Sequence, residues 1–293
     1  MQVVGTVAFD TLARVRTLPD PEATAGILEL HPDLPGGTAG NVAMALARLG
    51  ARPRLVSAVG PDFEGSRVEA ALREAGVDLS GLAATRAPTA RAYVFFDSEG
   101  RQVTFFHAGA SRDLPDAQMA PGRAHFCAGE IARYPSLMRR AEWVSFDPGQ
   151  EVFHRDLAEV TACLPETDLL FLNRHERDRL EKDAGHDLAR IFAAGVGAVV
   201  ESRGAEGTLV HTPSGRFAAP GVPAAAVDPT GAGDAHRAGF LFALERGADY
   251  GRAARFANVC GSFVVEAVGA QAGQPTLAEA LARHEKVYGE RPF

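Results

Sequence analysis

Three small residues, Gly231 to Gly233, stand directly before an acid, Asp234, and an apolar run that continues to residue 244. Such a string predicts a tight turn that leads into the N-terminus of a buried helix. The first N–H groups of a helix have no partner within it and carry partial positive charge, so they bind anions. Small residues also let a phosphate approach the backbone closely. The segment therefore predicts an anion-binding turn whose donors are the amides of Gly231, Ala232 and Gly233.

Asp234 is the unexpected member of this turn, because a carboxylate beside an anion site repels the anion. We interpret Asp234 as a general base that takes a proton from a nucleophile while the turn holds the charge of the transferring group. The same tetrapeptide is also compatible with an ordinary turn in which Asp234 caps the helix. The tetrapeptide alone leaves both interpretations open.

Apolar strand-like runs alternate with Gly-bounded amphipathic stretches over most of the chain, which predicts βαβ units and a mainly parallel sheet. Strands are predicted at 3–9, 54–60, 143–147, 168–172, 197–201 and 208–211. Helices are predicted at 42–49, 66–75, 154–163, 174–182, 187–194, 233–247, 251–268 and 276–287. Residues 92–96 and 103–106 flank a polar turn, a β-hairpin signal, and with the excursion 11–35 they predict a small antiparallel sheet.

Composition excludes several classes of function. The net charge is −7 and no Lys/Arg cluster occurs, so nucleic-acid binding is not expected. No apolar run reaches 18 residues, and three scattered cysteines show neither metal spacing nor a disulfide framework, which predicts a cytoplasmic protein without membrane contact. Neither Lys182 nor Lys286, the two lysines, lies in a Walker A loop. A phosphate must therefore be held by backbone amides, arginine or metal.

The longer string Asp228–Phe240 resembles the second signature of the ribokinase-like (PfkB) carbohydrate and nucleoside kinases, Asp-Thr-Thr-Gly-Ala-Gly-Asp-x-Phe-x-Gly-Gly-Phe. It departs from that signature at Pro229, His236 and Ala238, all outside the Gly-Ala-Gly-Asp core. In this family the acid is the general base and the preceding small residues form the anion hole. The resemblance therefore favours Asp234 as a base.

The first signature of the same family is similar to residues 36–50, where Gly36, Gly37 and Asn41 precede a Leu-x-x-Leu-Gly helix end. The resemblance implies that these three residues contact substrate hydroxyls, and that Asp10 matches an early substrate-binding acid. Asp10 is predicted to end the first strand, where open α/β sheets bind ligands. Asn41 could equally be a helix N-cap, and the two roles are compatible.

The resemblance also implies positions for ATP and its ions. Asn173 and Glu176 match an Asn-x-x-Glu motif that orients Mg²⁺-bound water and phosphate oxygens, although the pair also fits a capping box. Asp228 and Thr230 match a monovalent-cation (K⁺) loop found in many members. Further ATP contacts are implied along the second half of the chain, at Asn173, Ser202, Gly204, Gly207 and Asn258.

Three stretches, 102–110, 145–150 and 265–271, are similar to the nucleoside-phosphorylating branch of the family, and Phe106 in the first is an expected substrate contact. The whole resemblance implies a single ribokinase-like domain over 1–293, of α/β class, with a three-layer αβα core. A β lid is expected at 11–35 and 88–108, through which a homodimer could form. The expected activity is nucleoside phosphorylation by ATP and Mg²⁺.

Two alternatives remain open from the sequence. The acceptor could be a sugar such as ribose, fructose or a keto-deoxy sugar acid, and an aromatic wall would suit the apolar face of a sugar as well as a base. A non-catalytic ligand sensor could keep the same fold, although intact Asp234, Asn173 and Glu176 argue against it. A Rossmann dehydrogenase is disfavoured because no Gly-x-Gly-x-x-Gly turn follows the first strand.

Overall fold

A large, mainly parallel sheet forms the centre of the computed structural model, which describes residues 1–114 and 116–293. Its strands are β1 (Gln2–Val4), β4 (Arg54–Val59), β5 (Asp78–Ala84), β8 (Arg123–Phe126), β9 (Trp143–Phe146), β10 (Leu169–Asn173), β11 (Ala198–Ser202), β12 (Thr208–Thr212) and β13 (Gly215–Ala219). The order across the sheet is β13-β12-β11-β10-β9-β8-β1-β4-β5. Strands from β11 to β5 run parallel, whereas β12 and β13 turn back as an antiparallel edge. The predicted parallel sheet is confirmed.

Helices cover both faces of this sheet. They are α1 (Thr38–Arg48), α2 (Arg67–Glu74), α3 (Tyr134–Met138), α4 (Glu151–His154), α5 (Leu157–Thr161), α6 (Arg174–Ala184), α7 (Leu188–Ala193), α8 (Ala232–Glu245), α9 (Tyr250–Val264) and α10 (Leu277–Tyr288). Along β10, Leu169 and Phe171 enter the core beneath α1, α8 and α9, while Leu170 and Leu172 enter the core beneath α3, α6 and α7. Burial on both faces explains the continuous apolar strands, and the three-layer αβα architecture is as expected.

Four further strands form a small sheet beside the core: β2 (Ala8–Val15), β3 (Ile27–Gly36), β6 (Ala90–Phe96) and β7 (Gln102–His107). The pairs β2–β3 and β6–β7 are antiparallel, and β2 joins the two pairs by running parallel to β6. The predicted hairpin and the excursion of residues 11–35 thus meet in one sheet.

Among the described helices of the whole fold, none is both long and apolar enough to cross a membrane.

Two predicted elements are wrong in their bounds. The expected strand 3–9 is split into β1 and β2, which belong to different sheets, because the chain turns away at Gly5 with φ at 145°. Asp10 therefore lies within β2 and does not end a strand. The expected helix 154–163 is two short helices, because Arg155 is extended and Asp156 caps a new start.

Candidate active site

The predicted anion turn begins α8. Gly231 has a φ of 78°, a left-handed conformation that favours glycine, and a Cβ there would overlap Ala270. No described side chain caps the helix, and Asp234 occupies its third position, so the N-cap interpretation of Asp234 is wrong. The three predicted amide donors are not equivalent: the N–H of Ala232 donates to the Pro229 carbonyl at 3.2 Å, whereas no described residue accepts from Gly231 or Gly233. Two donors thus remain available to a ligand.

The Asp234 carboxylate is buried and held by a side chain from a distant helix. Asn41 Nδ2 donates to Asp234 Oδ2 at 2.8 Å, and Gln271 Nε2 donates to Asn41 Oδ1 at 2.9 Å. Asn41 lies inside α1, whose N-cap is Gly37, so the N-cap interpretation of Asn41 is also wrong. Burial raises the pKa of Asp234 to about 6, although Arg237 and the Asn41 hydrogen bond oppose the rise. Such a carboxyl is a stronger base than an exposed aspartate.

A second buried acid, Asp10, lies near Asp234. Burial, together with the negative charge of Asp234, raises the pKa of Asp10 to about 7. Its Oδ1 is buried and accepts no hydrogen bond from the described protein, which suits an atom that receives a ligand hydroxyl. Gly36 packs directly on this carboxyl, since a Cβ at Gly36 would overlap it. Gly36 therefore positions Asp10, while Gly37, with φ at 80°, begins α1.

Two cavities meet at the start of α8. The carboxylate cleft, of about 530 Å³, lies between the core and the small sheet, and the glycine-lined cavity, of about 480 Å³, lies on the other side of the turn. Gly233 lines both cavities. The carboxylate cleft contains the predicted residues Asp10, Gly37, Asn41, Phe106, Asn173, Glu176, Thr230, Gly231, Gly233 and Asp234. The glycine-lined cavity contains Ser202, Gly204, Gly207, Ala232, Gly233 and Asn258.

Asn173 and Glu176 form the capping box of α6, with both reciprocal bonds present. The side-chain carboxylate of Glu176 accepts from the backbone N–H of Asn173 at 2.7 Å, and Asn173 Oδ1 accepts from the N–H of Glu176 at 2.9 Å. Burial, with the nearby charge of Asp147, raises the pKa of Glu176 to about 7. Because both residues also line the carboxylate cleft, the helix cap and a ligand contact are compatible.

The sequence interpretation did not place Arg237 and Asp147 in the site. Arg237 Nε lies 2.5 Å from Asp147 Oδ2, and Nη2 donates to Oδ1 at 2.8 Å, with both side chains buried. Burial opposes the charged guanidinium, but Asp147, Glu176 and Asp234 together hold the pKa of Arg237 above its usual value. Both residues line the carboxylate cleft. Two features of the sequence could have indicated these residues: Asp147 lies in the stretch 145–150, and Arg237 is a charged residue within an apolar run.

His236, which replaces the usual aromatic residue of the second signature, joins a buried polar network in the glycine-lined cavity. Thr208 Oγ1 lies 2.7 Å from His236 Nε2 and donates to Asn258 Oδ1 at 2.6 Å. The Asn258 amide nitrogen donates to the carbonyls of Ala219 and Pro220. Burial and Arg237 lower the pKa of His236 to about 3, so it is neutral. The network fixes Asn258 at the cavity wall.

Asp228 lines neither cavity. Its Oδ1 accepts from the N–H of Thr230 at 2.9 Å and its Oδ2 accepts from the N–H of Gly269 at 2.8 Å. Asp228 therefore ties the segment before α8 to the loop after α9.

The known proteins that this chain resembles are kinases of small molecules. The model of the "pfkB family carbohydrate kinase" matches residues 30–131 and 147–277. A nucleoside kinase of Methanothermobacter thermautotrophicus is 37% identical, over 99% of this chain and 96% of that protein. An ATP-dependent ribose-1-phosphate kinase of Halopiger xanaduensis is 33% identical, over 95% of each. The structure of Burkholderia thailandensis nucleoside kinase in complex with inosine superposes with a TM-score of 0.91 at 25% identity, over 99% of this chain and 97% of that one.

The ribokinase-like fold and the meeting of two cavities at an anion turn define an ATP-dependent kinase of small molecules. The chain belongs to the pfkB family of carbohydrate kinases.

Proposed function

We propose that this kinase transfers the γ-phosphoryl group of ATP to a primary hydroxyl of a nucleoside. The observation that carries the proposal is the position of Asp234, which is buried in the carboxylate cleft, oriented by Asn41 and next to Gly233, the residue that lines both cavities. The similarity to two proteins named nucleoside kinases, one of them solved with inosine, supports the choice of acceptor.

In the proposed reaction the acceptor oxygen attacks the γ-phosphorus, the bond to the ADP oxygen breaks, and Asp234 takes the hydroxyl proton. A loose phosphoryl-transfer transition state needs proton removal only late, so positioning and charge stabilisation contribute most. The amides of Gly231 and Gly233 receive the charge of the transferring group. Ala232 keeps the turn closed through its bond to Pro229, in place of the donor role that the sequence suggested.

The acceptor lies in the carboxylate cleft. Asp10 and Asn41 grip ribose hydroxyls beside Gly37, and Phe106 of the small sheet covers the base. A ribose 1-phosphate acceptor, suggested by the Halopiger relative, would bring a second phosphate into the cleft. Among the described residues, Arg237 is the only Lys or Arg side chain lining the cleft, and Asp147 already pairs with it, so a neutral acceptor fits better.

The nucleotide occupies the glycine-lined cavity, where Ser202, Gly204, Gly207 and Asn258 line the wall. Mg²⁺ would accompany the phosphates, held through water by Asn173 and Glu176. Within the described residues no group of three or more His, Cys, Asp or Glu side chains forms a metal cage. That fits Mg²⁺, which usually keeps several waters and takes phosphate oxygens, and which would supply charge neutralisation.

A K⁺ site beside the anion turn belongs to the same proposal. Asp228 and Thr230 would form it with backbone carbonyls of 267–273, a region that Asp228 already joins to the turn.

We also propose that residues 1–293 form one domain, with the small sheet as its lid, and that the kinase works in the cytosol, where ATP is available.

The face of the lid that points away from Phe106 and the cleft is apolar. We propose that a second copy of the chain docks on this outer face. Leu30, Tyr93 and Phe105 are large apolar residues on this face, and Phe105 is 63% exposed. The edge strand β7 is exposed along its length and can pair with another strand. Sedimentation should find a wild-type dimer and a monomeric Phe105→Glu variant; a monomeric wild-type protein would contradict the docking.

The acceptor is tested by ADP release with Mg-ATP, K⁺ and a panel of nucleosides, free sugars and ribose 1-phosphate. We expect turnover with nucleosides to exceed turnover with the other acceptors. Turnover with sugars or ribose 1-phosphate alone would keep the kinase and discard the nucleoside assignment.

A further inference from the structure

The carboxylate cleft poses a problem of charge for any phosphate that enters it. Asp10, Asp147, Glu176 and Asp234 all line the cleft, and a transferring phosphoryl group brings further negative charge. Arg237 is the one Lys or Arg side chain in the lining that the structure describes. A phosphoryl-transfer site needs positive groups near the equatorial oxygens, so the position of this guanidinium decides how the site functions.

Arg237 lies one turn after Asp234 in α8. Side chains on a helix lean toward its N-terminus, so a residue in the second turn covers the first turn. Here the guanidinium reaches back to the anion turn: a Cβ built on Gly233 would overlap Arg237 Nη1. The charged group therefore lies beside the amides that we assign to the transferring phosphoryl group.

Asp147 holds the guanidinium on its other side. Nη2 donates to Asp147 Oδ1 at 2.8 Å, and Nε lies 2.5 Å from Asp147 Oδ2 in an ionic contact without a hydrogen bond, so the carboxylate lies against these two nitrogens. No described residue accepts a hydrogen bond from Nη1, and this nitrogen is not sealed from solvent. The fork is thus fixed on one side and presents a donor to the cleft on the other.

We propose that Arg237 is a catalytic residue whose Nη1 donates to an oxygen of the transferring phosphoryl group, and that Asp147 is its positioning residue. The inference rests on the proposed phosphoryl transfer but not on which acceptor is used. The reaction keeps its balance: the acceptor oxygen bonds to phosphorus, ADP leaves with the electron pair of the broken bond, and the proton goes to Asp234. Arg237 keeps its own protons and stabilises the charge on the equatorial oxygens.

Turnover of Arg237→Met and Arg237→Lys tests the proposal. We expect kcat of Arg237→Met to fall about 10²–10³-fold, as on loss of one oxyanion donor, with the acceptor KM changed less than about threefold. The kcat of Arg237→Lys should fall less, since lysine keeps the positive charge but lacks the planar set of guanidinium donors. Arg246→Lys, at the C-cap of the same helix, is the matched control and should match the wild type.

Loss of the partner could unfold the protein by leaving Asp147 unpaired. The double variant Asp147→Asn/Arg237→Met removes both charges, and added guanidinium should restore turnover in it. Calorimetry measures nucleotide binding without an acceptor. The Arg237→Met substitution should weaken the binding of a non-hydrolysable ATP analogue about tenfold and the binding of ADP less than about twofold, because only the analogue carries the γ-phosphate.

The outcomes separate this inference from the nucleoside assignment. A wild-type protein without nucleoside-dependent turnover counts against the acceptor, and the calorimetric ratio then still decides the role of Arg237. The proposal would be overturned if the Arg237→Met protein kept the wild-type kcat, or if its affinities for ADP and for the analogue fell equally.

Discussion

Asn41 and Asp234 lie 193 positions apart in the chain, yet Asn41 Nδ2 donates a 2.8 Å hydrogen bond to Asp234 Oδ2. The Asn41 amide is oriented by Gln271, which donates to its Oδ1, so its nitrogen must face the acid. No described residue donates to Asp234 Oδ1. The bond thus leaves one carboxylate oxygen available to an acceptor hydroxyl, and it joins α1 to the anion turn of α8.

Activity should depend on the protonation of Asp234. Its pKa is raised to about 6, and a base must be deprotonated, so kcat/KM should fall as the pH is lowered through about 6. Asn41→Ala removes a hydrogen bond that lowers this pKa, so its profile should shift to higher pH. Initial rates between pH 5 and 8 measure both profiles. A wild-type rate that does not change over this range would count against Asp234 as the base.

The stability of the protein without ligand should reveal the buried acid Asp10. Its pKa in the folded state is about 7, above the value of about 4 in an unfolded chain. The protonated form therefore stabilises the fold fully below about pH 4, and this contribution is lost as the pH rises through about 7.

The Asp10→Asn variant removes that loss, so its gain in Tm over the wild type should be larger at pH 8 than at pH 5. Buried histidines titrate in both proteins and cancel in the difference. Thermal melts at the two pH values measure it, with the exposed Asp20→Asn as control. An equal difference at both pH values would show that Asp10 is not perturbed.

Two capping boxes in the described part of the chain provide a matched test of the Mg²⁺ assignment. Glu176 closes the box of α6 in the carboxylate cleft, and Glu279 closes the box of α10 outside it. Glutamine keeps a capping box, so both Glu→Gln variants should fold. Glu176→Gln should raise the Mg²⁺ concentration for half-maximal turnover about 10–100-fold, the usual loss for a residue that orients metal-bound groups. Glu279→Gln should not; an equal effect of both variants would contradict the assignment.

Gly36 should control acceptor binding through Asp10. A Cβ at Gly36 would overlap the Asp10 carboxyl and displace it. The Gly36→Ala variant should therefore lose the hydrogen bonds between Asp10 and the acceptor. Losing hydrogen bonds to a charged group should raise the acceptor KM about 10–100-fold, and the ATP KM should stay unchanged. Gly26→Ala is the control, because the space around Gly26 is open and its φ is not left-handed. A normal acceptor KM in Gly36→Ala would remove Asp10 from the binding site.

Features that depend on local chemistry could be predicted from the sequence. The anion turn follows from small residues before an apolar run, and the strand–helix alternation indicated the parallel sheet. The split between β1 and β2 could not be predicted, because both segments are apolar and periodicity does not say which sheet a strand joins.

Contacts between distant segments explain the other differences. The N-cap interpretations of Asn41 and Asp234 considered only neighbours in sequence, whereas the fold pairs the two side chains with each other. The ion pair of Arg237 and Asp147 likewise spans 90 positions. A buried charge needs a partner, so an arginine in an apolar helix was a signal that only the fold could interpret.

The role of Asp234 is tested most directly by the rate of ADP release with a nucleoside acceptor for the wild type and for Asp234→Asn. Asparagine keeps the size of the side chain but cannot take the proton. We expect nucleoside-dependent turnover in the wild type and a rate about 10²–10⁴-fold lower in the variant, with near-normal ATP binding. Wild-type turnover by a pure Asp234→Asn protein would contradict the assignment of Asp234 as the base.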